Sequence, residues 1–151
     1  GDIGIDALSF GGTKNGLLGA EAVVLFGQAT TAGFRHRRKQ AMQLPSKTRF
    51  IAAQFSAYLR NDLWKEIASH ANHMAKVLHH QIATLDTVEV PYPVESNAVF
   101  ALIPKTWVKP LRRSHFFYVW ETDPCMVVLS NFPEVAFPLK VVRKLLSLPK
   151  Y

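Results

Sequence analysis

Apolar and polar positions change their spacing several times along this chain. Residues 6–10 (Asp-Ala-Leu-Ser-Phe) read as a short strand that runs into Gly11-Gly12, and Ala22 to Phe26 is a short, nearly continuous apolar run. Runs of that kind suit strands buried on both faces, so the opening predicts two strands of a mostly parallel sheet, separated by a tight glycine loop. From Thr30 to Lys47 the chain turns polar and basic; Pro45 ends any helix there, and Ser46 is the expected N-cap of the next one. Thr48 to Leu59 carries Ile51, Phe55, Tyr58 and Leu59 at helical spacing. A further helix is expected from Asn61 or Asp62, both good N-cap types. Its stripe is Trp64, Ile67, Ala71, Met74, Leu78, Ile82 and Leu85, and core packing is the plain explanation for it.

After Asp86 the pattern shifts again. Val88 to Val94 mixes β-branched residues with Pro91 and Pro93, which fits an edge or irregular strand. Asn97 to Ile103, His115 to Trp120 and Cys125 to Leu129 read as strands, the last two joined by a turn at Glu121-Thr122-Asp123-Pro124. Thr106 to Arg113 reads as a short helix. Pro133-Glu134 opens a final amphipathic helix with Val135, Leu139, Val142, Leu145 and Leu146 on one face. Strands and packed helices after residue 60 make an α+β module.

Composition narrows the classes. The 151 residues are 48% hydrophobic, enough for a real core. The net charge of +7 admits nucleic acid, an anionic membrane or a phosphorylated small molecule as partner. No nucleic-acid motif accompanies the Arg35–Lys39 cluster, and no aromatics are interleaved with it as a stacking platform, so no nucleic-acid partner is expected. The longest apolar run, Leu17 to Phe26, is interrupted by Glu21 and falls short of the roughly 20 residues a spanning helix needs, so no membrane partner is expected. Cys125 stands alone and cannot close an internal disulfide, which points to a reducing cytoplasm; it reads as a core thiol. His70, His73, His79 and His80 lack a third ligand at zinc spacing, and no metal site is expected. Trp107 and Trp120 read as core or interface residues.

The chemistry-bearing stretch is Leu8-Ser9-Phe10-Gly11-Gly12-Thr13-Lys14-Asn15-Gly16. A lysine stands at a strand end, between glycines and beside a hydroxyl. A Schiff-base lysine wants that setting: little backbone bulk near a flat aldehyde, and an amine able to lose its proton. A phosphate cradle or an ordinary turn would use the same residues. The Walker spacing and the dinucleotide glycine pattern are both absent. On the residues alone these readings stay open.

The run Asp6 to Gly16, followed by Gly19-Ala20-Glu21-Ala22-Val23-Val24, resembles the lysine segment of bacterial threonine aldolases and related phenylserine-type aldolases. Phe34 to Gln40 and Ser46 to Gln54 resemble that family too, in the same order. The resemblance implies an α/β fold-type-I pyridoxal-phosphate lyase. Residues 1–60 would be the tail of the large cofactor-binding domain, with strands around the lysine loop, and residues 61–151 a small α+β C-terminal domain. It implies cleavage of the Cα–Cβ bond of a β-hydroxy-α-amino acid, as in L-threonine to glycine and acetaldehyde. Lys14 would carry pyridoxal 5′-phosphate as a Schiff base, and Thr13, Lys39, Lys47 and Arg49 would contact the cofactor, with Lys47 and Arg49 competing for one position. A homo-oligomer with active sites at subunit interfaces is implied. The family's phosphate-binding loop, ring-stacking histidine and acid for the pyridine nitrogen precede its lysine segment, so a truncated chain lacking its N-terminal half is expected.

One departure stands out. The family grips the substrate carboxylate with an arginine on a late strand, a bidentate task that suits arginine. The equivalent strand here, Cys125-Met126-Val127-Val128-Leu129-Ser130, has none, while Arg112 and Arg113 lie before the preceding strand. The alternative reading is therefore a non-catalytic remnant or oligomerising fragment of such an enzyme.

Overall fold

The computed structural model describes residues 3–27, 31–122 and 124–130. It divides the chain into two compact units, Gly1–Ile67 and Ala68–Tyr151. The final helix expected from Pro133, and Asp123 of the expected turn, lie outside the described residues.

In the first unit, strands β1 (Ala7–Gly11) and β2 (Glu21–Leu25) pair antiparallel, with Ser9 opposite Val23 and Gly11 opposite Glu21. The expected parallel arrangement is corrected here for a simple reason. Residues 12–20 are too few for a crossover, which needs a dozen or more, whereas an antiparallel pair closes through a short loop. The expected burial of both faces is corrected as well: Leu8, Val23 and Val24 are exposed. The hairpin loop packs tightly at its base. Gly12 N–H donates to the Ala20 carbonyl at 2.9 Å, and a methyl on Gly12 would lie 2.2 Å from Leu17 Cδ1.

Helix α1 (Phe34–Gln40) follows, then α2 (Thr48–Leu59). Ser46 does not cap α2: the N-cap residue is Lys47, without a side-chain cap bond, and Thr48 Oγ1 instead donates back to the Pro45 carbonyl at 2.7 Å. A one-turn 3₁₀ segment (Arg60–Asp62) joins α2 to α3 (Leu63–Ile82). Asn61 and Asp62, expected as caps, both adopt positive φ (52° and 58°) and turn the corner. Asn and Asp are among the residues that tolerate left-handed geometry best.

The unit boundary falls within α3, after Ile67. In the second unit Met74, Ala75, Leu78 and Ile82 of α3 share one core with strands β3 (Ala98–Leu102), β4 (Tyr118–Thr122) and β5 (Cys125–Ser130). The sheet is antiparallel in the order β3-β5-β4. Central β5 is buried from Cys125 to Leu129, so its apolar run is what a covered strand requires. Helix α4 (Lys105–Arg112) adds Trp107 and Leu111 to the core. Val88–Val94 contributes a single bridge, Glu89 to Leu102, in keeping with an irregular edge.

Two expectations change in this unit, and a third is narrowed. The strand expected from His115 starts at Tyr118, because the backbone N–H groups of Ser114 and His115 both donate to Leu111 and extend the end of α4. Glu121 and Thr122 belong to β4, opposite Met126 and Cys125, rather than to the turn. Trp120 sits at a register shift between Val119 and Glu121 and is 66% exposed, since a bulge re-aims its side chain out of the core; Trp107, at 3%, is a core residue.

Two outcomes follow for stability. Leu78 is fully buried, so Leu78→Ala is expected to cost about 3 kcal/mol in urea unfolding followed by tryptophan fluorescence, whereas Leu18→Ala, at a 94% exposed position, should cost less than about 0.5 kcal/mol. Gly12→Ala forces a methyl into Leu17 and should destabilise the first unit by about 1–3 kcal/mol, read as a lower thermal midpoint.

Candidate active site

Lys14 lies in the loop that closes the β1–β2 hairpin, and its side chain is exposed. Its neighbours are fixed. Thr13 N–H donates to Glu21 Oε1 at 3.3 Å, and Thr13 Oγ1 accepts from the Ala20 N–H at 3.2 Å. On the other side, Asn15 Nδ2 donates to the Tyr58 hydroxyl and to the Trp64 carbonyl, the latter at 3.1 Å. The Asn15 and Leu17 N–H groups both reach the Gly12 carbonyl at 3.0 Å, and Leu18 N–H donates to Gln54 Oε1 at 2.9 Å. Gly16 completes the turn at φ 102°, a conformation that glycine adopts without steric cost.

The strand feeding this loop is anchored by aromatic packing. Phe10 meets Trp64 edge-on at 5.8 Å between ring centroids and tilts against Tyr58 at 6.1 Å and Phe55 at 6.3 Å. Edge-on and tilted contacts of this kind are favourable beyond the area they bury. Lysine loop, α2 and the first turn of α3 are thereby joined by apolar contact and by directed hydrogen bonds. The result is one flexible amine on a backbone held on both sides. Among the described residues no hydrogen bond joins the Lys14 amine to another group.

The other residues singled out from the sequence are placed as follows. Lys39 is exposed on α1, and Lys47 is exposed at the start of α2. Arg49 is exposed in the first turn of α2, its guanidinium 4.8 Å from the Phe50 ring centroid. None of the three makes a hydrogen bond with Lys14 or Thr13 among the described residues. A groove between β2, α1 and α2 is lined by Glu21, Val23, Phe34 and Phe55, and its cations are Arg37 and Arg38. Arg37 and Arg38 follow Phe34 by three and four residues and so share its side of α1. Asn15 and Tyr58 were given no role from the sequence, because their contact spans sequence-distant elements.

The late strand keeps its departure: β5 is apolar and buried from Cys125 to Leu129. Arg112 donates to the Phe117 carbonyl at 3.4 Å and lies 5.6 Å from the Phe117 ring centroid. Among the described residues no cluster of His, Cys, Asp and Glu could hold a metal ion, and no helix is long and apolar enough to cross a membrane.

No family model matches the chain. Individual proteins do. The low specificity L-threonine aldolase of Pseudomonas aeruginosa is 41% identical over 133 residues, covering 80% of this chain and 38% of that protein. That of another Pseudomonas strain is 41% identical over 137 residues, covering 82% of this chain and 40% of its own length. Among solved structures, Leishmania major threonine aldolase superposes with a TM-score of 0.85 at 25% identity, covering 91% of this chain and 42% of that one. The chain thus spans about two fifths of the length of the curated relatives it matches. Over most of its length the chain is thus similar to threonine aldolases, and it fits a C-terminal portion of their polypeptide.

Proposed function

We propose that this polypeptide is the lysine-bearing portion of a pyridoxal-phosphate-dependent lyase that cleaves β-hydroxy-α-amino acids of the L-threonine type. The observation that carries the reading is Lys14: an exposed amine between two bonded neighbours, in a chain 41% identical to enzymes named for threonine cleavage. When bound, pyridoxal phosphate supplies an electron sink for breaking the Cα–Cβ bond. The residues present suit its attachment. Lys14 provides the anchoring amine. Thr13 keeps a hydroxyl proton to donate, since its oxygen already accepts from Ala20. Lys39, Lys47 and Arg49 are the cations assigned to the cofactor phosphate, and Arg37 and Arg38 join them because they line the groove beside β2.

The reading also requires further polypeptide. A two-stranded sheet is marginal by itself, and the hairpin exposes Leu8, Val23 and Val24. Those apolar strands suit the edge of a larger sheet, supplied by an N-terminal half or a second subunit in a homo-oligomer. The two units correspond in this reading to the tail of a cofactor-binding domain and a small C-terminal domain, in a soluble cytoplasmic enzyme. A second reading, a non-catalytic remnant or oligomerising fragment, is favoured by β5, which offers no cation to a substrate carboxylate.

Borohydride reduction in the presence of pyridoxal phosphate, followed by peptide mapping, tests the anchor. The expected result is one dominant modified peptide containing Lys14, absent from Lys14→Ala. Weak labelling scattered over many lysines would favour the remnant. Aldehyde release from L-threonine is expected when the chain is co-expressed with the N-terminal portion of a related aldolase, and Lys14→Ala should bring it to background.

A further inference from the structure

We infer that Asn15 and Tyr58 are positioning residues for the Lys14 amine, acting through a hydrogen-bonded clamp between the lysine loop and the corner joining α2 to α3. The inference rests on the reading of Lys14 as the covalent anchor and adds to it the device that aims the amine.

The clamp is specific in its chemistry. A side-chain amide has two N–H donors. In Asn15 one goes to the Tyr58 hydroxyl and the other to the Trp64 carbonyl. The two acceptors come from different helices, Tyr58 from the last turn of α2 and Trp64 from the first turn of α3. They converge on one amide because Asn61 and Asp62 turn the chain sharply between them. Tyr58 is only 2% exposed, and a phenol so deeply buried ordinarily finds a polar partner; among the described residues Asn15 is that partner.

Packing alone would not do this. The contacts of Phe10 with Phe55, Tyr58 and Trp64 fix where β1 ends, but ring contacts tolerate sliding and rotation. Two hydrogen bonds from a short side chain fix the direction of the backbone at residue 15. Thr13 is tied to Glu21 and Ala20 on the opposite side. The Lys14 Cα is therefore held from both directions, and the side chain leaves it along one vector. Shifts of about 1 Å in a reacting group can cost about a hundredfold in rate, so such a clamp has consequences for covalent attachment.

The test uses the whole chain, pyridoxal phosphate and borohydride. Tyr58→Phe keeps the ring and its aromatic contacts and removes only the hydroxyl. In the unmodified chain the reduced adduct at Lys14 is expected to show an induced near-ultraviolet circular dichroism band, because the pyridine ring on a fixed stem sits in one asymmetric environment. In Tyr58→Phe the trapping rate at Lys14, referred to exposed Lys76 in the same sample, should fall about tenfold, and the induced band should lose most of its amplitude. Asn15→Ala should behave alike. Asn15→Asp should recover part of the band, since the phenol can then donate to the carboxylate. Far-ultraviolet spectra and thermal midpoints identify any variant that fails to fold; Asn15→Ala and Asn15→Asp supply the comparison if Tyr58→Phe is one. Normal labelling and a normal induced band in folded Tyr58→Phe and Asn15→Ala would overturn the clamp while leaving the anchor standing. Absence of preferential labelling at Lys14 in the unmodified chain would overturn both.

Discussion

The side-chain amide of Asn15 is the constraint on which the arrangement of the first unit turns. It is the point where a hairpin loop, the end of one helix and the start of the next are tied by directed bonds rather than by packing. Around it the other features make sense together. Phe10 places the end of β1 in an aromatic nest, and Asn61 and Asp62 bend the chain so that Tyr58 and Trp64 face one amide. Gly12 allows Leu17 to lie against the loop's own base. A lysine on such a loop has a fixed origin and a free end, which is the mechanical requirement for an amine that must meet a bulky flat partner repeatedly in one geometry.

The second unit rests on different physics. Its α3 stripe, α4 and a three-stranded antiparallel sheet enclose a single apolar core with β5 at its centre. Its stability is a matter of buried area and close packing: among the described residues none of the buried ones is polar or charged. That contrast bears on function. The lysine loop is exposed and held by hydrogen bonds, while the late strand β5 is given over to packing.

Much of this was legible in the residues. Thr48–Leu59 and the stripe from Met74 to Ile82 were readable because helical periodicity is a local signal, reinforced by the core it must face. The strands β3 and β5 are legible as short, nearly continuous apolar runs. The hairpin was misread because composition reports burial, not strand direction; the shortness of residues 12–20 was the better guide. Asn61 and Asp62 read as N-cap types, but their left-handed φ serves a corner rather than a cap. At the candidate site, the glycine-rich frame singles out Lys14 but suits a phosphate cradle or a plain turn equally well. The clamp was not legible, because Asn15 and Tyr58 lie far apart in sequence and no local pattern announces a hydrogen bond between distant elements. Trp120 read as core or interface, and the bulge that takes it out of the core leaves no trace in periodicity.

The central claim is that the lysine loop is a held structure rather than a loose turn. Amide hydrogen exchange of the unmodified chain, resolved by residue, tests this most directly. The account predicts that the N–H groups of Gly12, Asn15, Leu17, Leu18 and Ala20, each with a defined acceptor, exchange as slowly as those in the interior of α2. Exchange of these amides at the rates of an unstructured peptide, while α2 stays protected, would contradict it.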